Sequence, residues 1–125
     1  MVVYQKHSKR KITGGRLISA RKKRLANMGS RPTLTKVDKR KVKVKRQAGG
    51  SLKFFLLSTD KINVMNQKTK KSQITDIIAV LENPANRHFV RRNIITRGAI
   101  IETKLGKVKI TSRPGQEGTV NGVLI

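Results

Sequence analysis

Two histidines and six carboxylates are the residues of this chain best equipped to bind a metal or move a proton. Their spacing favours neither task. His7 lies in a basic N-terminal stretch and His88 follows Arg87, and neither has a neighbouring acid to orient its ring. Asp38, Asp60, Asp76, Glu82, Glu102 and Glu117 are dispersed, with no close pair for general acid–base work. A zinc site needs more ligands than these scattered groups readily supply. There is no cysteine, which excludes thiol catalysis, disulfides and Cys-based metal sites. Gly14-Gly15-Arg16 lacks the spacing of a phosphate-binding loop, and no motif singles out a Ser, Thr or Lys nucleophile. The expectation is a protein without catalytic residues, metal, cofactor or small-molecule substrate.

The chemistry that remains is neutralisation of phosphate. The chain has 125 residues, with 30 Lys and Arg against 6 Asp and Glu, a formal net charge of +24. A charge this large repels itself in isolation and calls for a polyanion. The densest clusters are Lys9-Arg10-Lys11 and Arg21-Lys22-Lys23-Arg24. Between them Gly14 and Gly15, followed by Arg16, allow sharp bends and close backbone approach to a phosphate chain. Arg31 ends the same stretch. Lys41, Lys43 and Lys45 alternate with apolar residues, while Arg97 and Arg113 lie near turns. Arg87 and His88 precede Arg91 and Arg92 by four residues, the spacing of one helix face. These are the candidate RNA-binding residues. With one Tyr, three Phe and no Trp, stacking on single-stranded bases is disfavoured, leaving phosphate and shape recognition.

The elements that must carry these residues fall into two textures. Residues 1–50 hold 17 Lys and Arg and one acid, whereas residues 51–125 hold 13 and five. Residues 1–33 have scattered apolar positions and too little to bury, which predicts a basic arm, disordered when free and ordered on RNA. The alternative is a short basic amphipathic helix over about Ile18–Met28, packed on the body. Pro32 marks the boundary. Over 34–125, Arg40–Arg46 reads as a half-buried strand with a charged outer face. Leu52–Leu57 reads as a more fully buried strand. Ile62–Met65, Gln73–Leu81, Asn93–Thr96, Ala99–Thr103, Lys107–Thr111 and Val120–Ile125 supply further extended runs. Asn83-Pro84 predicts an N-cap and a helical turn over about 84–92. Ala48–Ser51 is a turn signal, and Arg113–Gln116 predicts a type II turn. Seven or eight short strands at this spacing make an all-β body, a small barrel or sandwich.

The longest unbroken apolar run, Ile77–Leu81, is far short of a membrane span, and the N-terminus shows no secretory h-region. An intracellular nucleic-acid binder is the leading class. No helix-turn-helix, zinc finger or zipper is visible, so folded RNA is favoured over specific DNA. A DNA-compacting architectural protein is the alternative. An RNA-modifying enzyme and a cationic membrane-active protein are weaker, the first for want of a catalytic candidate and the second for want of a long amphipathic helix.

Longer strings then carry a resemblance. Thr13–Leu17, the Arg21–Arg24 cluster and Arg31–Thr35 resemble the N-terminal signature of the ribosomal protein S8e family. Glu82–Asn86, His88–Thr96, Gly98–Thr103 and Thr111–Leu124 are similar to its short archaeal branch. The resemblance covers nearly the whole chain and is weakest over residues 1–8 and 61–75. It implies a β-barrel-like body with a basic extension, and a structural role in the small ribosomal subunit of the cytoplasm. The implied partners are small-subunit rRNA and neighbouring small-subunit proteins, with no membrane.

Overall fold

The computed structural model describes residues 2–125 and divides the chain into two units, Met1–Pro32 and Thr33–Ile125. The first unit contains little regular structure. Its backbone doubles back on itself: Gln5 N–H donates to Asn27 O (2.7 Å) and Gly29 N–H to Val3 O (2.7 Å). A tighter hairpin lies within, where Leu17 N–H donates to Lys9 O (2.7 Å) and Lys11 N–H to Gly15 O (2.8 Å). A single 3₁₀ turn, Leu25–Asn27, is present where the alternative reading put a helix over Ile18–Met28. None of the described residues of this unit is buried.

The second unit is all-β and holds nine strands: β1 (Thr35–Val37), β2 (Lys41–Arg46), β3 (Leu52–Thr59), β4 (Lys61–Met65), β5 (Ser72–Glu82), β6 (Ile94–Ile95), β7 (Ile100–Thr103), β8 (Gly106–Ile110) and β9 (Asn121–Leu124). Two one-turn helices, α1 (His88–Arg91) and α2 (Pro114–Glu117), interrupt them. Strands β4, β5, β7, β8 and β9 close a barrel in that order, antiparallel except where β9 meets β4 in parallel. The seam is tied by Asn63 Nδ2 donating to Asn121 Oδ1 (2.9 Å). The other four strands form a sheet in the order β2-β3-β1-β6.

Alternation along each barrel strand decides what points inward. Ile62 and Val64 of β4, Ile101 of β7, and Val108 and Ile110 of β8 are all at most 2% exposed. They join Ile77, Val80, Ala99 and Val120 in one core, which also takes in Leu56 and Ile95 of the second sheet. The register of β5 shifts between Ile77 and Ala79 and again between Val80 and Glu82. Such bulges bend a strand and help a long one follow a tight barrel.

Four sequence expectations need correction. β2 is exposed along its whole length, not half-buried, and β3 buries Leu56, Ser58 and Thr59 but leaves Leu52, Phe54 and Leu57 exposed. The reason is position: β2 is an edge strand, and it and the first half of β3 form a ribbon outside the core. β1 was not anticipated, because three residues are too few to show a period; Thr35 holds it, donating from Oγ1 to Leu56 O (2.7 Å) at 0% exposure. The helical turn expected over about 84–92 is present as α1, but Asn83 does not cap it. Its buried amide donates to Ile94 O (3.1 Å) and accepts from Ala85 N–H (3.1 Å) and Thr96 Oγ1 (2.8 Å), stapling the exit of β5 to β6. Arg113–Gln116 is not a type II turn but the start of α2, which ends on Gly118 in the left-handed region (φ 73°). A Cβ on Gly118 would also stand 2.8 Å from the Phe54 Cβ, so two constraints converge on glycine there.

Candidate nucleic-acid interface

In the first unit the basic residues are displayed by the inner hairpin and the segment after it. Gly14 takes φ 84° at the hairpin tip, and a Cβ there would meet nothing within 4 Å. Lys9, Arg10, Lys11, Gly15 and Arg16 flank the tip and are all exposed. Arg10 faces Arg16 across an antiparallel bridge, and the Arg10 guanidinium donates to Gly14 O (3.0 Å). Like charges placed opposite each other weaken a strand pair unless an anion lies between them. Arg21, Lys22, Lys23 and Arg24 lead up to the 3₁₀ turn outside regular structure and are exposed, as is Arg31 near the end of the unit.

In the second unit most of the candidates gather on two patches. Lys43 and Lys45 of β2 share a face with Lys53 and Phe55 of β3, which are their register partners in crossed order: Lys43 opposite Phe55, Lys45 opposite Lys53. Lys41 stands beyond a register shift at the start of the strand. The Lys53 ammonium lies 5.5 Å from the Phe55 ring centroid, a cation–π contact. Arg113 precedes α2, which packs on β3 from the Phe54 side, the face opposite the lysines, where Gly118 lies against Phe54.

The second patch surrounds α1. The N-terminal side of this turn is held by Asn86, whose Oδ1 accepts from His88 N–H (2.9 Å). Val90 packs against the core from within it. Asn93, at φ 49°, terminates it while its N–H reaches Val90 O (3.0 Å). Arg87, His88, Arg91 and Arg92 are left exposed around the anchored turn. Arg97 is exposed beside Gly98, which lies against Pro84 on the loop leading into α1. The structure thus gathers Arg87, His88, Arg91 and Arg92 around one anchored turn, and separately sets Lys43 and Lys45 on one face with Lys53; Lys41, Arg97 and Arg113 are exposed outside these two groups.

Sequence reasoning passed over Lys53, which reads as part of an apolar run and joins the lysine face only through strand register. It also passed over Lys107 and Lys109, although their alternation is plain; on β8 Lys107 stands opposite Glu102. Among the described residues the only ion pair is Lys104–Asp76 (2.5 Å), and the Lys104 ammonium holds the Asp76 carboxyl below its ordinary range. Among these residues every other Lys and Arg lacks a carboxylate within ion-pair distance. Among the same residues no three of His, Asp and Glu gather closely enough to hold a metal ion. No helix is long and apolar enough to cross a membrane.

Comparison with known proteins adds a lineage to this geometry. A family model described as "Ribosomal protein S8e" matches residues 4–125. "Small ribosomal subunit protein eS8" of Methanobrevibacter smithii is 46% identical over 125 residues, covering 100% of both chains. The protein of the same description from Nanoarchaeum equitans is 49% identical over 122 residues, covering 98% of this chain and 96% of its own. That from Sulfolobus acidocaldarius is 46% identical over 126 residues, covering 100% and 98%. Nothing in these relatives supports the DNA-compacting alternative.

Proposed function

The chain belongs to the ribosomal protein S8e family, a family of ribosomal structural proteins and not of enzymes, and on that premise we propose that it binds and braces folded small-subunit rRNA in the cytoplasm. The observation that carries this reading is the idleness of the charge inside the protein. Thirty cations and six acids make one ion pair among the described residues, and all of the candidate cations are exposed. Phosphate is the counter-charge that such a surface lacks.

Three surfaces take part: the hairpin and basic segment of the first unit, the lysine face of the β2–β3 ribbon, and the α1 patch. Lys9, Arg10, Lys11, Arg16, Arg21–Arg24 and Arg31 supply the arm's contacts, with Gly14 and Gly15 allowing backbone approach. Lys43 and Lys45 serve the ribbon, Arg87, His88, Arg91 and Arg92 serve the α1 patch, and Lys41, Arg97 and Arg113 add exposed charge outside them. The arm is ordered by the RNA: Ile12, Ile18 and Leu25 are each more than four-fifths exposed, so it has no core of its own to hold it. Neighbouring small-subunit proteins complete its surroundings.

Crosslinking in a cell lysate, followed by sequencing of the attached RNA, tests the proposal. One locus of small-subunit rRNA is expected. Dispersed messenger RNA or DNA fragments would overturn it.

A further inference from the structure

The sequence disfavours base stacking because aromatics are so few, yet the chain's one tyrosine does not sit at random. Within the first unit, Tyr4 lines a cavity of about 500 Å³ together with Leu17, Lys6, Lys9, Lys22 and Lys23. That volume is in the range of small-ligand clefts, about 300–1,000 Å³. Its lining combines two chemistries. Tyr4 and Leu17 offer flat and apolar surface, while the four lysines offer charge, and the unit contains no acid to compete for them.

The cleft is also partly organised. Lys6 Nζ donates to Ser19 Oγ (2.7 Å), and Ser19 Oγ donates onward to Arg21 O (2.8 Å), which fixes one ammonium at the cleft. Tyr4 is held by its bridge to Met28, and the Lys23 ammonium lies 5.9 Å from its ring centroid. A ring with a cation over one face and lysines around it suits a ligand that is aromatic at one end, stacking on the other face, and anionic at the other.

We infer that this cleft is a site for one unpaired nucleotide of the bound RNA, its base stacked on Tyr4 and its phosphates on Lys6, Lys9, Lys22 and Lys23. The inference rests on RNA being the partner of this surface, and gives that partner a local requirement: a nucleotide out of the helical stack. Paired bases present no free face to Tyr4, so a continuous duplex would meet only the lysines.

With no tryptophan and one tyrosine, the emission of the intact protein reports on Tyr4 alone. The full chain is titrated with two labelled RNAs matched in phosphate number, one single-stranded and one fully paired, while anisotropy measures binding and tyrosine emission measures stacking. Single-stranded RNA should quench the emission at saturation and duplex should not. Tyr4→Ala should weaken single-strand binding about ten-fold, leave duplex binding and the salt slope unchanged, and be rescued by Tyr4→Phe. Equal quenching by both RNAs, or single-strand affinity unmoved by Tyr4→Ala, would overturn the inference while leaving RNA binding intact. Quenching by AMP with no effect of Tyr4→Ala on RNA affinity would overturn it in favour of a free-nucleotide site. Failure of both RNAs to bind would overturn the proposed function, and this inference with it.

Discussion

Gly122 sits inside the barrel wall, where a Cβ would stand 2.5 Å from Val108 Cγ1 and 3.0 Å from both Ile62 Cδ1 and Lys109 O. Backbone cannot yield as a flexible side-chain tip can, and filled interiors resist added atoms. Gly122→Ala is therefore expected to destabilise the body by about 1–3 kcal/mol, read as a lower urea midpoint without a change in slope. The Asp76–Lys104 pair makes a prediction about acid. Its hydrogen bond to Lys104, and then the lysine's charge, favour the ionised carboxylate, with Lys61 adding to the same effect. A carboxyl depressed on folding contributes stability above its unfolded value, lost as pH falls through the folded one. NMR titration of Asp76 should give a midpoint below the ordinary 3.8, and Lys104→Ala should return it towards that value. Both groups are largely exposed, so the effect belongs to titration more than to stability.

The loop between β5 and β6 depends on one side chain. Asn83 satisfies a carbonyl, an amide and a hydroxyl at once while 7% exposed. Replacing it with alanine leaves buried polar groups unpaired, at a cost of about 2–4 kcal/mol in all. Amide exchange should show protection falling most over residues 84–96, and with it the fixed display of Arg87, Arg91 and Arg92. This element also marks the limit of what the sequence discloses. Asn83-Pro84 carries a local cue for helix capping, but the partners that claim Asn83 arrive from Ile94 and Thr96, beyond any local window. Barrel strands β4 and β8 were legible because each shows its own alternation, as Ile62 and Val64 do, and β5 because its run of β-branched residues favours strand. The ribbon was not, because Val42, Val44 and Phe54 have the texture of a core strand, yet they stand on the edge strand and on the half of β3 that pairs only with it, and remain exposed. Of the candidate interface, the clusters in the first unit were plain as charge runs; the union of Lys53 with β2 exists only through pairing.

At the scale of the molecule, the charge is divided between an arm without a core and a barrel with one. Deleting residues 1–32 keeps Thr33, which lies close against Gly115. The product is expected to unfold cooperatively while binding rRNA far more weakly; loss of the cooperative transition would show that the arm belongs to the fold. In the free protein, amide exchange should leave the arm unprotected and residues 40–125 protected. If about ten cations each neutralise a phosphate, log affinity should fall against log salt with a slope of roughly −7 to −9, and the deletion should flatten it. The parallel seam of β4 and β9 has a consequence for biosynthesis. The barrel's first strand has no partner on that side until residues 121–124 have been made, so the core cannot close during translation of the strands between. Loop closure across that separation is slow. The arm is synthesised before any of it. A nascent chain therefore presents its polyanion-seeking segment while its body is still unfinished, and an RNA contact made early would hold the chain in place as the last strand arrives.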